Sequence, residues 1–137
     1  MSHPPAETHQ TAIVRVRYAE TDKMGVVYYA NYFVWFEVGR CELLRAHGAS
    51  YRDLEAAGIA LPAIEAHCEY RQPARYDDEL TVKTWGSLVS SIRVEFRYEV
   101  IRQSDGTINA VGRTVHAAVD ANGRPCRLPE QIQELLR

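Results

Sequence analysis

Residues 31–47, NYFVWFEVGRCELLRAH, contain no proline, and Gly48 follows them at the position where helices commonly end. The stretch predicts a helix of about four to five turns. Its first half is apolar on every side, which is typical of a helix enclosed by its surroundings, whereas its second half is amphipathic. The rest of the chain must therefore supply a cover for one long helix.

Sequence patterns on both sides of this helix predict five strands. Before the helix, apolar residues alternate with arginines over 12–18, and a period of two is the pattern of a strand with one buried face. After the helix the pattern recurs over 64–70, 80–84 and 92–100, and the turn signals at 104–106 and 122–123 predict a fifth strand over 107–119. A short helix or loop is expected over 51–58, and a terminal helix is expected from about Pro129.

This order of elements predicts an α+β domain in which a five-stranded antiparallel sheet wraps around one long central helix, the layout of the hotdog fold. We expect one domain over residues 1–137, with residues 1–10 poorly ordered and folded structure starting near Thr11. A single sheet covers a helix on one side only. The uncovered apolar surface and the sheet edges therefore predict a homodimer, or a dimer of such dimers.

Composition excludes several classes of function. Of the 137 residues, 46% are hydrophobic and 25% are charged, as in a soluble globular protein. The net charge of -2 argues against a nucleic-acid partner. No apolar stretch reaches the length of a membrane span and the first ten residues lack a secretory signal, so we expect a cytoplasmic protein. Cys41, Cys68 and Cys126 lack CxxC spacing, so neither a disulfide framework nor a metal site is expected.

The candidate catalytic groups lie between the first strand and the helix. Asp22 stands three residues before Gly25 in a turn-like segment, and Tyr29 stands where the helix begins, with its unpaired amides and positive dipole end. A carboxylate that faces such amides suits acyl transfer, because the amides stabilise charge on a carbonyl oxygen while the carboxylate attacks or activates water. Asp and Gly are also ordinary turn formers, so spacing alone leaves both interpretations open.

Glu37 is a second candidate within the apolar half of the helix. A buried carboxylate is costly without a function or a partner, which favours a role for Glu37 at the site. It can instead pair with Arg40, which lies three residues further along the same helix. Both interpretations stay open at this point.

Residues 18–40 carry a longer motif, Tyr-x-x-Thr-Asp-x-x-Gly-Val-Val-Tyr followed by Ala-Asn-Tyr and Phe-Glu-x-x-Arg. It resembles the signature of the 4-hydroxybenzoyl-CoA thioesterase family, and in particular its short YbgC-type members, with a similar layout over 11–135. The resemblance implies hydrolysis of an acyl-CoA thioester to a free acid and coenzyme A without a metal or other cofactor. Asp22 then takes the place of the catalytic carboxylate, as nucleophile or general base. The Tyr29 amide takes the place of the donor to the thioester carbonyl, and Glu37 that of a helix carboxylate near the acyl group.

The resemblance also implies substrate contacts and one difference. YbgC-type members often have a histidine seven residues after the aspartate, where this chain has Tyr29, as in the hydroxybenzoyl-specific branch. Tyr18 matches the YbgC type instead, so the preference for aromatic or aliphatic acyl groups stays open. The expected substrate-binding residues are Tyr18, Gly25, Asn31, Ser90 and Ser91, with the two serines opening the fourth strand.

Further positions have more than one interpretation. The arginines that could meet the coenzyme phosphates are Arg71, Arg75, Arg93 and Arg97, although alternating Arg and Glu are equally typical of a solvated sheet face. We interpret the lone strand histidine, His116, as a hydrogen-bonded structural group. A hydroxyacyl dehydratase would need a histidine in 21–23, where the chain has Thr-Asp-Lys. The alternative function is a non-enzymatic acyl-CoA-binding module, which the fold alone allows.

Overall fold

The computed structural model describes residues 8–137. Strand β1 (His9–Arg15) leads through a single 3₁₀ turn (Tyr18–Glu20) to the long helix α1 (Asn31–Ala46) and the short helix α2 (Tyr51–Ala56). The remaining elements are β2 (Ala63–Tyr70), β3 (Glu79–Leu88), β4 (Arg93–Arg102), β5 (Ile108–Ala117) and α3 (Glu130–Leu136). This is the element order that the sequence patterns predict.

The five strands form one antiparallel sheet in the order β1-β3-β4-β5-β2. The strand that follows the helices, β2, pairs with β5 at the far edge of the sheet, so β1 and β2 are the two edge strands. Helix α1 packs against β1, β3 and β4. The prediction of an α+β hotdog architecture, with one long helix against a five-stranded antiparallel sheet, is confirmed.

The core lies between α1 and one face of the sheet. Alternate residues of β3 and β4 are buried, as the period of two requires when one face of a strand meets a helix. Helix α1 contributes the other half of this core from one side of its surface. The fully or nearly fully buried apolar side chains of these three elements are Tyr32, Trp35, Phe36, Leu43, Leu44, Leu80, Val82, Val94, Phe96, Tyr98 and Val100.

Two glycines allow the helix to lie directly on the sheet. A Cβ atom at Gly39 of α1 would overlap the Thr84 hydroxyl on β3, and one at Gly112 of β5 would overlap the ring of Phe36. Both overlaps are closer than Cβ atoms come to other groups in real proteins, so in a closely packed interior the neighbouring side chains or the helix itself would have to move. The short distance between α1 and the sheet therefore depends on these two positions.

Several predicted boundaries differ from the observed ones. The first strand begins at His9 rather than near Thr11, and the expectation of poor order over residues 1–7 lies outside the described residues. Tyr18 was expected on the buried face of that strand, but the strand ends at Arg15 and Tyr18 is 78% exposed. The reason is local: the Arg17 N–H donates to the Glu20 carboxylate at 2.7 Å, which closes a turn in place of extended backbone.

The apolar first half of α1 is not enclosed on every side by this chain. Val34 is 55% exposed, and every residue of β2 except Cys68 is exposed. The expectation of a fully enclosed helix is therefore wrong for the single protomer. Within residues 8–137, no helix combines the length and the apolar character needed to cross a membrane.

Candidate functional site

The loop between β1 and α1 is tied to both of its ends through one carbonyl group. The Glu20 carbonyl oxygen accepts hydrogen bonds from the Tyr28 N–H at 2.8 Å and from the Asn31 side-chain amide at 2.9 Å. Thr21 and Val27 form an isolated antiparallel bridge across the same loop. These bonds hold the start of α1 beside the 3₁₀ turn and give the enclosed residues a defined geometry.

Asp22 lies at the tip of this loop in a tight turn. Its N–H donates to the Val26 carbonyl, and the Gly25 N–H donates back to the Asp22 carbonyl, each at 2.9 Å. Asp22 Oδ1 accepts from the Met24 N–H at 2.8 Å. Gly25 has φ of +79°, a left-handed conformation that favours glycine, which explains the Asp-x-x-Gly spacing. Asp22 and Gly25 therefore do form a turn, as one of the two interpretations predicts. The same turn places Asp22, half-buried, at a depression in the surface.

That depression is an open cavity of about 610 Å³. It brings together three predicted site residues, Asp22, Tyr18 and Asn31. Gly25 belongs to the same turn without lining the cavity. The full set of lining residues is Tyr18, Ala19, Thr21, Asp22, Lys23, Tyr28 and Asn31. Sequence reasoning missed Lys23 and Tyr28, although both stand inside the motif that marked the site.

Tyr29 lies next to the cavity, two residues before the first residue of α1. No backbone carbonyl among residues 8–137 accepts a hydrogen bond from the Tyr29 N–H. Its own carbonyl accepts one from the Tyr70 hydroxyl at 3.0 Å. The segment thus offers an amide donor near the positive end of the helix dipole, which is the kind of group that stabilises an oxyanion.

A cluster of tyrosines joins the helix start to the end of β2. The ring centroids of Tyr28 and Tyr29 lie 4.7 Å apart, and the ring of Tyr70 meets those of Tyr32 and Tyr29 edge-on at 5.3 and 6.3 Å. Partial burial, together with the nearby Cys68 thiol, raises the pKa of Tyr70. The pKa of Tyr28 is raised by its hydrogen bond with Tyr29. The raised pKa values keep the phenols of Tyr28 and Tyr70 neutral at physiological pH, so these two residues bring aromatic surface and hydroxyl groups without charge to the edge of the cavity.

Glu37 is not among the residues that line this cavity. It lies six residues after Asn31 on α1, about 9 Å further along the helix axis. Its side chain is 67% exposed, and its carboxylate lies 3.9 Å from Arg40 Nη2. The pairing with Arg40 is the interpretation that the geometry supports, because an exposed carboxylate carries no burial cost that a site would have to explain.

Arg40 begins a buried chain of hydrogen bonds that runs through the core. Its guanidinium donates to the Tyr98 hydroxyl at 3.5 Å and, through Nε, to Tyr51 at 3.1 Å. Tyr98 and Thr114 hydroxyls lie 2.6 Å apart, and the Thr114 hydroxyl lies 2.9 Å from His116 Nε2. His116 Nδ1 lies 2.9 Å from the Leu61 carbonyl oxygen.

The Leu61 carbonyl and the Arg40 guanidinium, at the two ends of this series of hydrogen bonds, determine the direction of every bond in it. A carbonyl can only accept, so His116 Nδ1 carries the proton and, in the neutral ring, Nε2 accepts from Thr114. Thr114 must then accept from Tyr98, which in turn accepts from an arginine that can only donate. Burial lowers the pKa of His116, in agreement with the neutral ring. The interpretation of His116 as a hydrogen-bonded structural group is confirmed.

Ser90 and Ser91 lie in the turn between β3 and β4 and do not open the strand, which begins at Arg93. Ser90 Oγ accepts from the N–H groups of Ile92 and Arg93, each at 3.1 Å, so its hydroxyl stabilises the turn. The loop of Asp22 is bound at the opposite end of β3, where Val16 donates to the Asp78 carbonyl. Nine residue steps of about 3.3 Å separate the two ends of β3, roughly 30 Å. The structure therefore does not bring these serines to Asp22 within one protomer.

The four candidate arginines divide between the two ends of the sheet. Arg75 forms a backbone bridge with Val26 and so lies beside the Asp22 loop, and Arg71 pairs with Glu69 at 3.6 Å near the end of β2. Arg93 lies at the far end with the serine turn, and Arg97 lies further along the same strand. Arg113 of β5, which stands opposite Arg97 in the sheet, bridges two carboxylates, those of Glu65 and Glu95. A solvated, ion-paired face is thus part of what the alternating charges form.

Within residues 8–137, no group of three or more His, Cys, Asp or Glu side chains is arranged to hold a metal ion. Cys41, Cys68 and Cys126 are free thiols.

Known proteins are similar to this chain in both sequence and fold. A family model described as the thioesterase-like superfamily matches residues 16–136. The chain is 32% identical over 119 residues to the acyl-CoA thioester hydrolase YbgC of Escherichia coli, covering 87% of this chain and 89% of that protein.

Among solved structures, a DHNA-CoA thioesterase from Staphylococcus aureus is 35% identical with a TM-score of 0.83, over 88% of this chain and 80% of the other. A hypothetical protein from Thermus thermophilus is 37% identical with a TM-score of 0.85, over 93% and 95%.

Proposed function

Because the chain belongs to the thioesterase-like superfamily, we propose that it hydrolyses an acyl-CoA thioester to a free acid and coenzyme A. The observation that carries this proposal is that Asp22 lines the same cavity of about 610 Å³ as Tyr28 and Asn31, the residues that flank the start of α1. The E. coli relative is named as an acyl-CoA thioester hydrolase and the S. aureus structure as a thioesterase, which supports the same reaction.

In the proposed reaction, Asp22 supplies the negative charge that opens the thioester. As a nucleophile it would attack the carbonyl carbon, expel the coenzyme A thiolate and leave a mixed anhydride for water to hydrolyse. As a general base it would remove a proton from the water that attacks the same carbon, and the C–S bond would then break to release the coenzyme A thiolate, which takes up the proton. In both routes the carbonyl oxygen gains negative charge, and the Tyr29 N–H donates to it. The carboxylate and the amide together supply what the reaction requires, so we propose no metal or other cofactor.

Glu37 has a secondary place in this proposal. Within one protomer the Glu37 carboxylate is exposed and lies outside the cavity that Asp22 lines, so it can help to orient an acyl group or a water molecule but not take part in the central step. We therefore assign it to positioning the acyl group and assign the central step to Asp22. Tyr18, Asn31 and the Gly25 turn shape the part of the cavity where the thioester would bind.

We further propose that the protein is a homodimer, or a dimer of dimers, with each active site built from two chains. Strand β2 is an edge strand whose free side exposes unpaired backbone groups, and Val34 of α1 and Ile64 of β2 expose apolar surface nearby. A second copy would cover both features. It would also explain how Ser90 and Ser91, which lie beyond the opposite end of β3 from the Asp22 loop in one chain, could contact the same substrate.

The cytoplasm is the proposed compartment, because the three thiols are free and a reducing compartment keeps them so.

The test is a panel of aromatic and aliphatic acyl-CoA thioesters, scored for release of free thiol by the wild-type protein and by Asp22→Asn. We expect turnover of the best thioester to fall by about 10² or more in Asp22→Asn, since the amide oxygen preserves the turn but neither attacks nor takes a proton.

The matched control is Asp120→Asn. Asp120 also accepts from the N–H two residues further along, Asn122, at 2.9 Å, so it reports what loss of charge does in a similar turn. Equal turnover in Asp22→Asn and the wild type would refute the catalytic assignment. Binding of acyl-CoA with no thiol release from any thioester would favour the non-enzymatic binding module.

A further inference from the structure

The last residue of β2 connects the edge of the sheet to the start of α1. The Tyr70 hydroxyl lies 3.0 Å from the Tyr29 carbonyl oxygen, across 41 residues of sequence. Because a carbonyl oxygen can only accept, the phenol is the donor. The ring of Tyr70 packs edge-on against Tyr32 of α1, which holds the hydroxyl in place.

The backbone on either side of Tyr29 is held by different partners. The peptide group before it joins the Tyr28 carbonyl to the Tyr29 N–H, and it is held through that carbonyl, which accepts from the Asn31 N–H at 3.0 Å. The peptide group after it carries the Tyr29 carbonyl, whose other donor is the Tyr32 N–H at a longer 3.4 Å. The Tyr70 bond is therefore the shorter of the two that hold this second peptide.

We propose that Tyr70 is a positioning residue, which aims the Tyr29 N–H by anchoring the carbonyl of the same residue. The inference rests on the proposed function, because it requires the Tyr29 N–H to be the donor to the thioester oxygen. With the peptide before Tyr29 held by the Asn31 N–H and the peptide after it held by the Tyr70 hydroxyl and the Tyr32 N–H, the two backbone dihedrals of Tyr29 are restrained from both sides. The hydroxyl itself points at the backbone, so it acts on the reaction only through the amide.

The test is Tyr70→Phe, which keeps the ring and its packing against Tyr32 and removes only the donor. We expect kcat on the best thioester to fall about tenfold, less than the ~10²-fold that a misplacement of 1 Å can cause. KM should change by less than about twofold, because the amide matters most where charge develops on the oxygen. A thioether analogue of the same acyl-CoA lacks that oxygen, so its affinity should not change.

Tyr76→Phe is the matched control. Tyr76 is 58% exposed and lies beside the same loop, with its ring 5.8 Å from that of Tyr18. Loss of its hydroxyl should leave both kcat and KM at the wild-type values. Amide hydrogen exchange, followed by NMR, should be faster in Tyr70→Phe than in Tyr76→Phe at Asn31 and Tyr32, whose N–H groups donate to the Tyr28 and Tyr29 carbonyls, after correction for any difference in global stability.

The outcomes separate this inference from the proposed function. If the wild type hydrolyses a thioester and Asp22→Asn does not, yet Tyr70→Phe matches the wild type in kcat, the positioning role is refuted. A loss confined to KM, with weaker binding of the thioether, would also refute it, since Tyr70 would then contact substrate directly. If the wild type hydrolyses nothing, the proposed function fails, while the exchange measurement still decides whether Tyr70 restrains Tyr29.

Discussion

Replacing Thr114 by valine tests the buried hydrogen-bond chain, because valine has nearly the same shape and lacks the hydroxyl. That hydroxyl serves two bonds, one from Tyr98 at 2.6 Å and one to His116 at 2.9 Å. Thr114, Tyr98 and His116 are each buried, so neither stranded group can turn to bulk water. Each unsatisfied buried group costs about 1–3 kcal/mol, and the expected loss in the free energy of unfolding is therefore roughly 3 kcal/mol.

Thr114→Ser is the matched control, since it keeps the hydroxyl and loses one methyl group, worth about 1 kcal/mol. Urea unfolding can be followed through the fluorescence of the buried Trp35, at one fixed protomer concentration for all proteins. We expect Thr114→Val to be less stable than Thr114→Ser by about 2 kcal/mol. A difference below about 0.5 kcal/mol would refute the chain as a coupled, fully satisfied network.

Three further predictions follow from the same geometry. Glu37→Gln should reduce kcat less than Asp22→Asn does, because Glu37 is exposed and lies outside the cavity; steady-state kinetics with the opposite order would exchange the two roles. Burial lowers the pKa of His116, so the unfolded chain binds a proton first as the pH falls below about 6.5. The protein should therefore become less stable as the pH falls through that range, and this group contributes at most about 1.4 kcal/mol per pH unit to the free energy of unfolding. Urea titrations in which His116→Gln kept the full pH dependence of the wild-type stability would contradict the assignment. Light scattering should return at least twice the 15.6 kDa mass of one chain, and a monomer that still hydrolyses thioesters would refute the shared site.

The local features of this protein could be predicted from its sequence because they depend on residues that are neighbours in the chain. The absence of proline before Gly48 predicted the helix that is observed at Asn31–Ala46, to within one residue at its end. The period of two predicted four of the strands and flanking turns predicted the fifth, and the Asp-x-x-Gly spacing predicted a turn that the left-handed Gly25 now explains. Helix periodicity, strand alternation and tight turns all act within a few residues, where the chain has little freedom to choose otherwise.

What only the tertiary structure decided involves residues far apart in the chain. Alternation shows which face of a strand is buried but not which strand lies next to it, so the placement of β2 beside β5 had no local signal. The Tyr70 hydroxyl reaches Tyr29 because that pairing puts the end of β2 beside the start of α1. The exposure of Glu37, the turn role of Ser90 and the one-way chain to His116 likewise depend on how the helix lies on the sheet. Sequence periodicity is a property of one element, whereas these contacts arise from packing several elements around a shared core, where closing the intervening loops and burying apolar faces select one arrangement.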